Sequence, residues 1–257
     1  MKVLIPLPDF GFDPTEAGVP WRKLQVAGHE TLFATPSGKP AVADPRMVTG
    51  VDLPCLLKAT LMAEPEAVTA YLEMSQSRDF LAPLSYAGIR QDTFDALLLP
   101  GGHDKGMRSY LESPVLQAVV AHFFERKKPV GAICHGTLLA ARSQSKATGK
   151  SVLWGLKTTG LTRRQERIAF QLTRLWLGDY YRTYPVAMAD ELISCLRSPQ
   201  DYDPGPGFPI PRARDSDSNL KPGFTVLDGN YLSARWPGDA YRFGRDFVRL
   251  LSGVSAD

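Results

Sequence analysis

The chain has 257 residues, of which 44% are hydrophobic, 10% aromatic and 22% charged; that balance is globular and excludes intrinsic disorder. Lys and Arg number 30 against 27 Asp and Glu, a net charge of +3, so charge alone points to no nucleic-acid partner. Three cysteines, Cys55, Cys134 and Cys195, exclude a disulfide framework, fit a reducing compartment and leave room for one reactive thiol.

The opening run MKVLIPLPDFGF is broken by Pro6 and Pro8, unlike the longer apolar core of a signal peptide, which reads as a cytoplasmic protein. No stretch of 18 apolar residues suggests a membrane partner. Residues 2–7 (KVLIPL) look like a buried strand and 19–27 like a helix with Pro20 in its first turn, ended by Gly28. Residues 30–34 read as the next strand and 63–74 as a helix. Residues 95–100 (DALLLP) form a near-continuous apolar strand of the kind buried on both faces. An amphipathic helix follows over 115–127, a strand over 129–133 and a helix over 137–142. Gly229-Asn230 separates 224–228 from 231–235 as a hairpin turn would, and 239–251 reads as a closing helix. Strands alternating with helices predict a parallel sheet covered on both faces. In such sheets ligands sit beyond the carboxyl ends of the strands, so the loops after Leu7, Pro100 and Ile133 should share one cleft. Residues 198–223, rich in Pro, Gly and Asp, form a long loop, the length of lids and binding loops.

The strongest chemical signal is Gly131-Ala132-Ile133-Cys134-His135-Gly136, after a strand and before a helix. That is the context of a nucleophile elbow. A thiol at a helix N-terminus gains from the positive end of the dipole, which favours thiolate; the plain alternative is an inert buried cysteine. Leu99-Pro100-Gly101-Gly102-His103 is the second signal, because paired glycines let amides approach a ligand as an oxyanion hole. The third is Glu16 on the loop after the first strand, a carboxyl placed to exchange a proton with the thiol, or simply a helix-start charge. The histidines are His29, His103, His122 and His135. None lies after residue 135, which excludes a hydrolase or glutaminase triad with a distant downstream base and leaves His135, or less directly His103, to serve Cys134. No HExxH, CxxC pair, GxGxxG or P-loop occurs, so no metal and no nucleotide cofactor is expected. The Arg163–Arg167 run with Arg174, and Arg242, Arg245 and Arg249, read as solvated helix faces.

Glu16, LLLPGGH (97–103) and AICHG (132–136) together resemble the DJ-1/PfpI (ThiJ) superfamily, and within it the Hsp31-like class that includes glutathione-independent glyoxalases. Phe33–Gly38 with Ala43-Asp44-Pro45, Thr159–Thr162 with Glu166, and Asp228-Gly229-Asn230 resemble further segments of that class, over roughly residues 1–166 and 224–252. The resemblance implies an α/β fold: a flavodoxin-like (class I glutamine amidotransferase-like) sandwich with a mostly parallel sheet flanked by helices. It implies one domain over 1–257 with an atypical insertion or lid at about 171–223. It makes Cys134 the nucleophile, His135 its triad neighbour, Glu166 the acid orienting His135, and Glu16 a partner of the Cys134 sulfur. Backbone N–H groups of Gly101, Gly102 and His135 would bind an oxyanion. Thr137 stands where the family has proline. The implied activity is glyoxalase III-like conversion of methylglyoxal to lactate, without cofactor, on a small-molecule aldehyde, by a homodimer. The rival readings are a stress-response chaperone or redox sensor using an oxidisable Cys134, or another thiol enzyme such as an isonitrile hydratase or amide hydrolase.

Overall fold

The computed structural model of the chain describes residues 1–206 and 214–253, without the Leu57 side chain; residues 207–213 of the expected long loop lie outside this description. Nine strands are present among the described residues: β1 (Lys2–Pro6), β2 (Phe10–Phe12), β3 (Glu30–Thr35), β4 (Val42–Ala43), β5 (Leu84–Ser85), β6 (Ala96–Leu99), β7 (Val130–Ile133), β8 (Thr225–Asp228) and β9 (Tyr231–Ala234). The helices are α1 (Pro14–Val26), α2 (Pro45–Thr49), α3 (Cys55–Leu61), α4 (Pro65–Ser75), α5 (Arg78–Leu81), α6 (Arg108–Leu111), α7 (Pro114–Glu125), α8 (His135–Arg142), α9 (Arg163–Leu177), α10 (Met188–Ser194) and α11 (Ala240–Leu251).

Seven strands form one sheet in the order β5-β3-β1-β6-β7-β9-β8, parallel except for the terminal β8–β9 hairpin. This is the expected flavodoxin-like sandwich. Its central strands β6 and β7 are buried along their whole length, as their unbroken apolar runs require in a sheet covered on both faces. The crossover through α1 carries the chain from β1 outward to β3, whereas the crossover through α7 carries it the other way, from β6 to β7. Right-handed crossovers in opposite directions place their helices on opposite faces. On one face α1 packs between α4 and α11, and on the other α7 packs against α8. The strand order therefore reverses between β1 and β6, and a crevice opens there at the carboxyl ends.

Several boundaries differ from the sequence reading for local reasons. Helix α1 begins five residues earlier than expected, at Pro14, because Asp13 caps it by accepting the N–H groups of Thr15 and Glu16 at 2.8 and 3.1 Å. Proline is pre-shaped for a first helical position behind such a cap. Pro20 consequently lies inside the helix and not in its first turn. Helix α8 begins at His135 and not at residue 137, so Cys134 is its N-terminal boundary. The Arg163–Arg167 run opens a 15-residue helix, α9, capped reciprocally by Thr162 and Gln165, a capping box. The short parallel pair β2–β4 carries no alternation long enough to read from sequence.

Candidate active site

Cys134 stands at the sharp turn between β7 and α8, with φ +54° and ψ −125°. That left-handed backbone is costly for a residue with a side chain and persists only where the surroundings impose it. Two constraints do so. The Cys134 N–H is held by the Ala234 carbonyl at 3.1 Å. On the other side Gly136 lies so close to β6 that a Cβ there would stand 2.0 Å from the Leu99 carbonyl oxygen. Only glycine fits, and the elbow is pressed into the crevice. The whole Cys134 residue is buried, as are Glu16 and His135.

Glu16 reaches the elbow from the first turn of α1. Its Oε2 accepts the Gly101 N–H at 2.9 Å, while Oε1 is buried without a conventional hydrogen-bond partner. The Cys134 thiol interacts with the same carboxyl group. Burial, reinforced by the neighbouring Asp13 charge, pushes the Glu16 carboxyl well above its ordinary value. Burial and then the Glu16 and Asp13 charges push the Cys134 thiol well up too; the His135 N–H bonded to the sulfur pulls the other way and is outweighed. The helix-terminus argument from sequence expected a stabilised thiolate. The structure corrects it: one helix N-terminus does not offset desolvation plus two acids. Both groups are therefore biased toward their protonated forms.

The imidazoles complete the cluster. His135 Nδ1 lies 3.5 Å from Cys134 Sγ. Burial, then the nearby His103 and Arg142, hold His135 well below its usual range. His103 is lowered to about 4 by burial, so both rings are neutral at physiological pH. They meet edge to face at 5.1 Å, and His103 meets Tyr181 in the same way. The donor atoms of His103, Cys134 and His135 all lie within 4.8 Å of one another. No metal is expected from sequence spacing, yet these three side chains are a set able to hold a zinc-like ion.

Two expected roles take a different form. The Gly101 N–H is committed to Glu16, so it positions the acid and is not free for an oxyanion. Gly102, at φ +157° and packed against the Gly11 carbonyl, has no hydrogen-bonded N–H partner among the described residues and keeps that capacity. Glu166, expected to orient His135, is placed elsewhere. Its Oε2 accepts the Met188 N–H at 2.9 Å at the start of α10, and it faces Arg182, with no hydrogen bond to His135. Burial raises its carboxyl to about 7. The reason is helical geometry: Glu166 follows Gln165 on α9, and the buried side of that helix looks toward α10.

Sequence reasoning missed the latch formed after α9. Tyr180 donates its hydroxyl to Asp44, and Tyr181 lies on His103. Thr183 Oγ1 donates to the His103 carbonyl at 2.8 Å, while Arg108 donates to the Thr183 carbonyl at 2.7 Å. Residues 180–183 of the expected 171–223 insertion thus fold over the glycine-pair loop. The only signal was Asp179-Tyr180-Tyr181, two adjacent aromatics in a polar stretch.

A cysteine on a strand-to-helix elbow, met by an acid from the first helix at the reversal point of a parallel sheet, defines a thiol site of the amidotransferase-like sandwich class. A family profile described as ThiJ/PfpI family-like matches residues 7–206, and the chain belongs to that family. Among curated relatives, an uncharacterised protein of Schizosaccharomyces pombe is 32% identical over 143 residues, 55% of this chain and 50% of that one; that match spans half of the relative's length. A deglycase of Pyrococcus abyssi is 24% identical over 251 residues, covering 98% of this chain and 99% of the relative. Among solved structures, glyoxalase III from Candida albicans superposes with a TM-score of 0.68 at 18% identity, over 100% of this chain and 98% of that one. At that identity the superposition speaks for the fold. No helix among the described residues is long and apolar enough to cross a membrane.

Proposed function

We propose that the protein is a Cys134-dependent enzyme acting on reactive carbonyl compounds, of the glyoxalase III kind. The observation that carries this reading is the buried Cys134 at the elbow, with the Glu16 carboxyl and the His135 Nδ1 set against its sulfur. A buried thiol with its proton acceptor in contact needs no pre-formed thiolate: Glu16 takes the proton as the sulfur attacks.

With methylglyoxal, Sγ adds to the aldehyde carbon and Glu16 receives the thiol proton, giving a hemithioacetal whose oxygen faces the Gly102 N–H. Glu16 hands that proton to the hemithioacetal oxygen, and the hydrogen on the carbon then leaves as a proton to a base, neutral His135 or the Glu16 carboxylate so restored. The electron pair forms the enediol, and the proton returns to the adjacent carbon. The product is a lactoyl thioester on Cys134. Water hydrolyses it, releasing lactate and restoring the thiol, so the overall change is methylglyoxal plus water to lactate. His135, neutral because of burial, is in the form that can accept a proton.

Two relatives support the substrate class: the Candida protein is a glyoxalase III and the Pyrococcus protein a deglycase. Both names describe work on reactive carbonyls or their adducts. The redox-sensor reading draws less support, since oxidation favours exposed, low-pKa thiols, and Cys134 is buried with its thiol pushed up.

The test is methylglyoxal consumption without glutathione, with chiral detection of lactate, comparing wild type with Cys134→Ala. Lactate from wild type and none from the variant is the expected result. Equal lactate from both, or none from wild type, overturns the reading.

A further inference from the structure

A cavity of about 110 Å³ lies against His103 and Asp13. Met47, Leu161, Ile168, Leu172 and Trp236 contribute its apolar walls, and His103 stands at its wall too. His103 is also the ring whose donor atom lies within 4.8 Å of Cys134 Sγ. His103 thus links the cavity to the sulfur, one ring away. At the α9 wall Leu172 is 46% exposed. Protein interiors leave few voids larger than a water molecule, because each one lowers stability. A space with such walls suits an apolar occupant: an apolar cavity of about 150 Å³ stays dry and binds benzene.

We propose that this cavity receives the side chain of the substrate, and that the carbonyl compounds taken by Cys134 carry a branched alkyl or aryl arm where methylglyoxal carries a methyl. The proposal rests on the reading of Cys134 as the nucleophile and names the substrate class of that site. The reacting carbonyl lies at the elbow, under His103, and the arm passes between α9 and the Trp236 ring. Methyl leaves most of the cavity unfilled. A phenyl or branched butyl group removes its own apolar surface and that of the walls from water together.

Labelling separates this proposal from the proposed reaction. Methyl, butyl and benzyl methanethiosulfonates are applied to the intact protein, and modification of each cysteine is followed by mass spectrometry. Cys55, exposed on α3, is the internal reference for intrinsic reactivity. Each added methylene that enters an apolar site is worth about fourfold. The ratio of Cys134 to Cys55 labelling should therefore rise by at least about tenfold from methyl to butyl. Ile168→Trp, which fills the cavity, should collapse that rise. A flat or falling ratio in wild type overturns the proposal, as does an undiminished rise in Ile168→Trp. In turnover, kcat/KM for phenylglyoxal relative to methylglyoxal should fall in Ile168→Trp. A protein that shows the labelling preference yet converts no 2-oxoaldehyde keeps the cavity assignment and loses the glyoxalase reading.

Discussion

Cys134 and Arg235 stand at the same height on adjacent parallel strands, each one residue beyond the paired Ile133 and Ala234, and both are buried. Their surroundings are opposite in kind. Arg235 is met four residues on by Asp239, with two guanidinium contacts at 2.9 and 2.8 Å. The same carboxylate also accepts the N–H groups of Phe224 and Arg235. Cys134 is met by an acid, Glu16, whose carboxyl accepts the Gly101 N–H and whose strongest charged influence is another acid, Asp13. A buried charge answered by its opposite is a strut. A buried acid set against a thiol, both with raised proton affinity, can pass a proton between them. Two neighbouring strand ends thus separate what holds the sheet from what the sheet presents.

The contrast breaks most sharply at Glu16. Glu16→Gln keeps the shape and an oxygen for the Gly101 N–H but removes the proton acceptor. Turnover should fall by about 10²- to 10⁴-fold. Stability should not fall with it. Because the folded protein holds the Glu16 proton more tightly than the unfolded chain does, wild type loses stability as pH rises above the unfolded value; the amide has no such loss. Urea unfolding at pH 8 should show the variant equal to or more stable than wild type. A variant that unfolds early while retaining turnover would make Glu16 a strut after all. Arg235→Ala reverses the pattern: it strands a buried carboxylate and should cost about 3–5 kcal/mol in unfolding free energy. Activity per folded molecule should be kept, read by titrating folded fraction and rate on the same samples.

Much of this arrangement was legible in the chain. The apolar runs at 95–100 and 129–133 announced central strands, because strands buried on both faces carry no alternation to confuse them with surface elements. The elbow was legible because small residues, cysteine and glycine fall at the strand-to-helix junction. Glu16 was legible as a loop acid or a helix-start charge; its place in the first turn of α1 depends on the Asp13 cap. What stayed hidden was long-range. That the Gly101 amide binds Glu16 across 85 residues of chain, or that Tyr181 covers His103, follows from how separate loops meet. The direction of the thiol's pKa differs for the same reason: the dipole of α8 is local and visible in sequence, whereas the burial that outweighs it, and the Asp13 and Glu16 charges that add to it, come from how the chain packs. Glu166 was misplaced because its partner, the start of α10, had no signature in the sequence.

Glu166 also gives the smallest and most discriminating test, since it is a third buried acid and resembles neither strand end. It caps α10 through Met188 and its carboxyl is raised to about 7 from an ordinary 4.5. The sign follows from linkage. Its contribution to stability is complete below about pH 4.5 and is lost as pH rises through about 7, because the folded state must then ionise a buried group. Glu166→Gln retains an oxygen for the Met188 N–H and cannot ionise. Wild type and variant should therefore unfold together at pH 4.5. By pH 8 the variant should be the more stable, by up to about 3 kcal/mol, the equivalent of that shift at 1.36 kcal/mol per pH unit. Turnover should change far less than in Glu16→Gln, since the carboxyl makes no hydrogen bond to His135. A rate loss as deep as that of Glu16→Gln would return Glu166 to the reacting cluster, and would mean that α9 carries its acid to the imidazole during turnover.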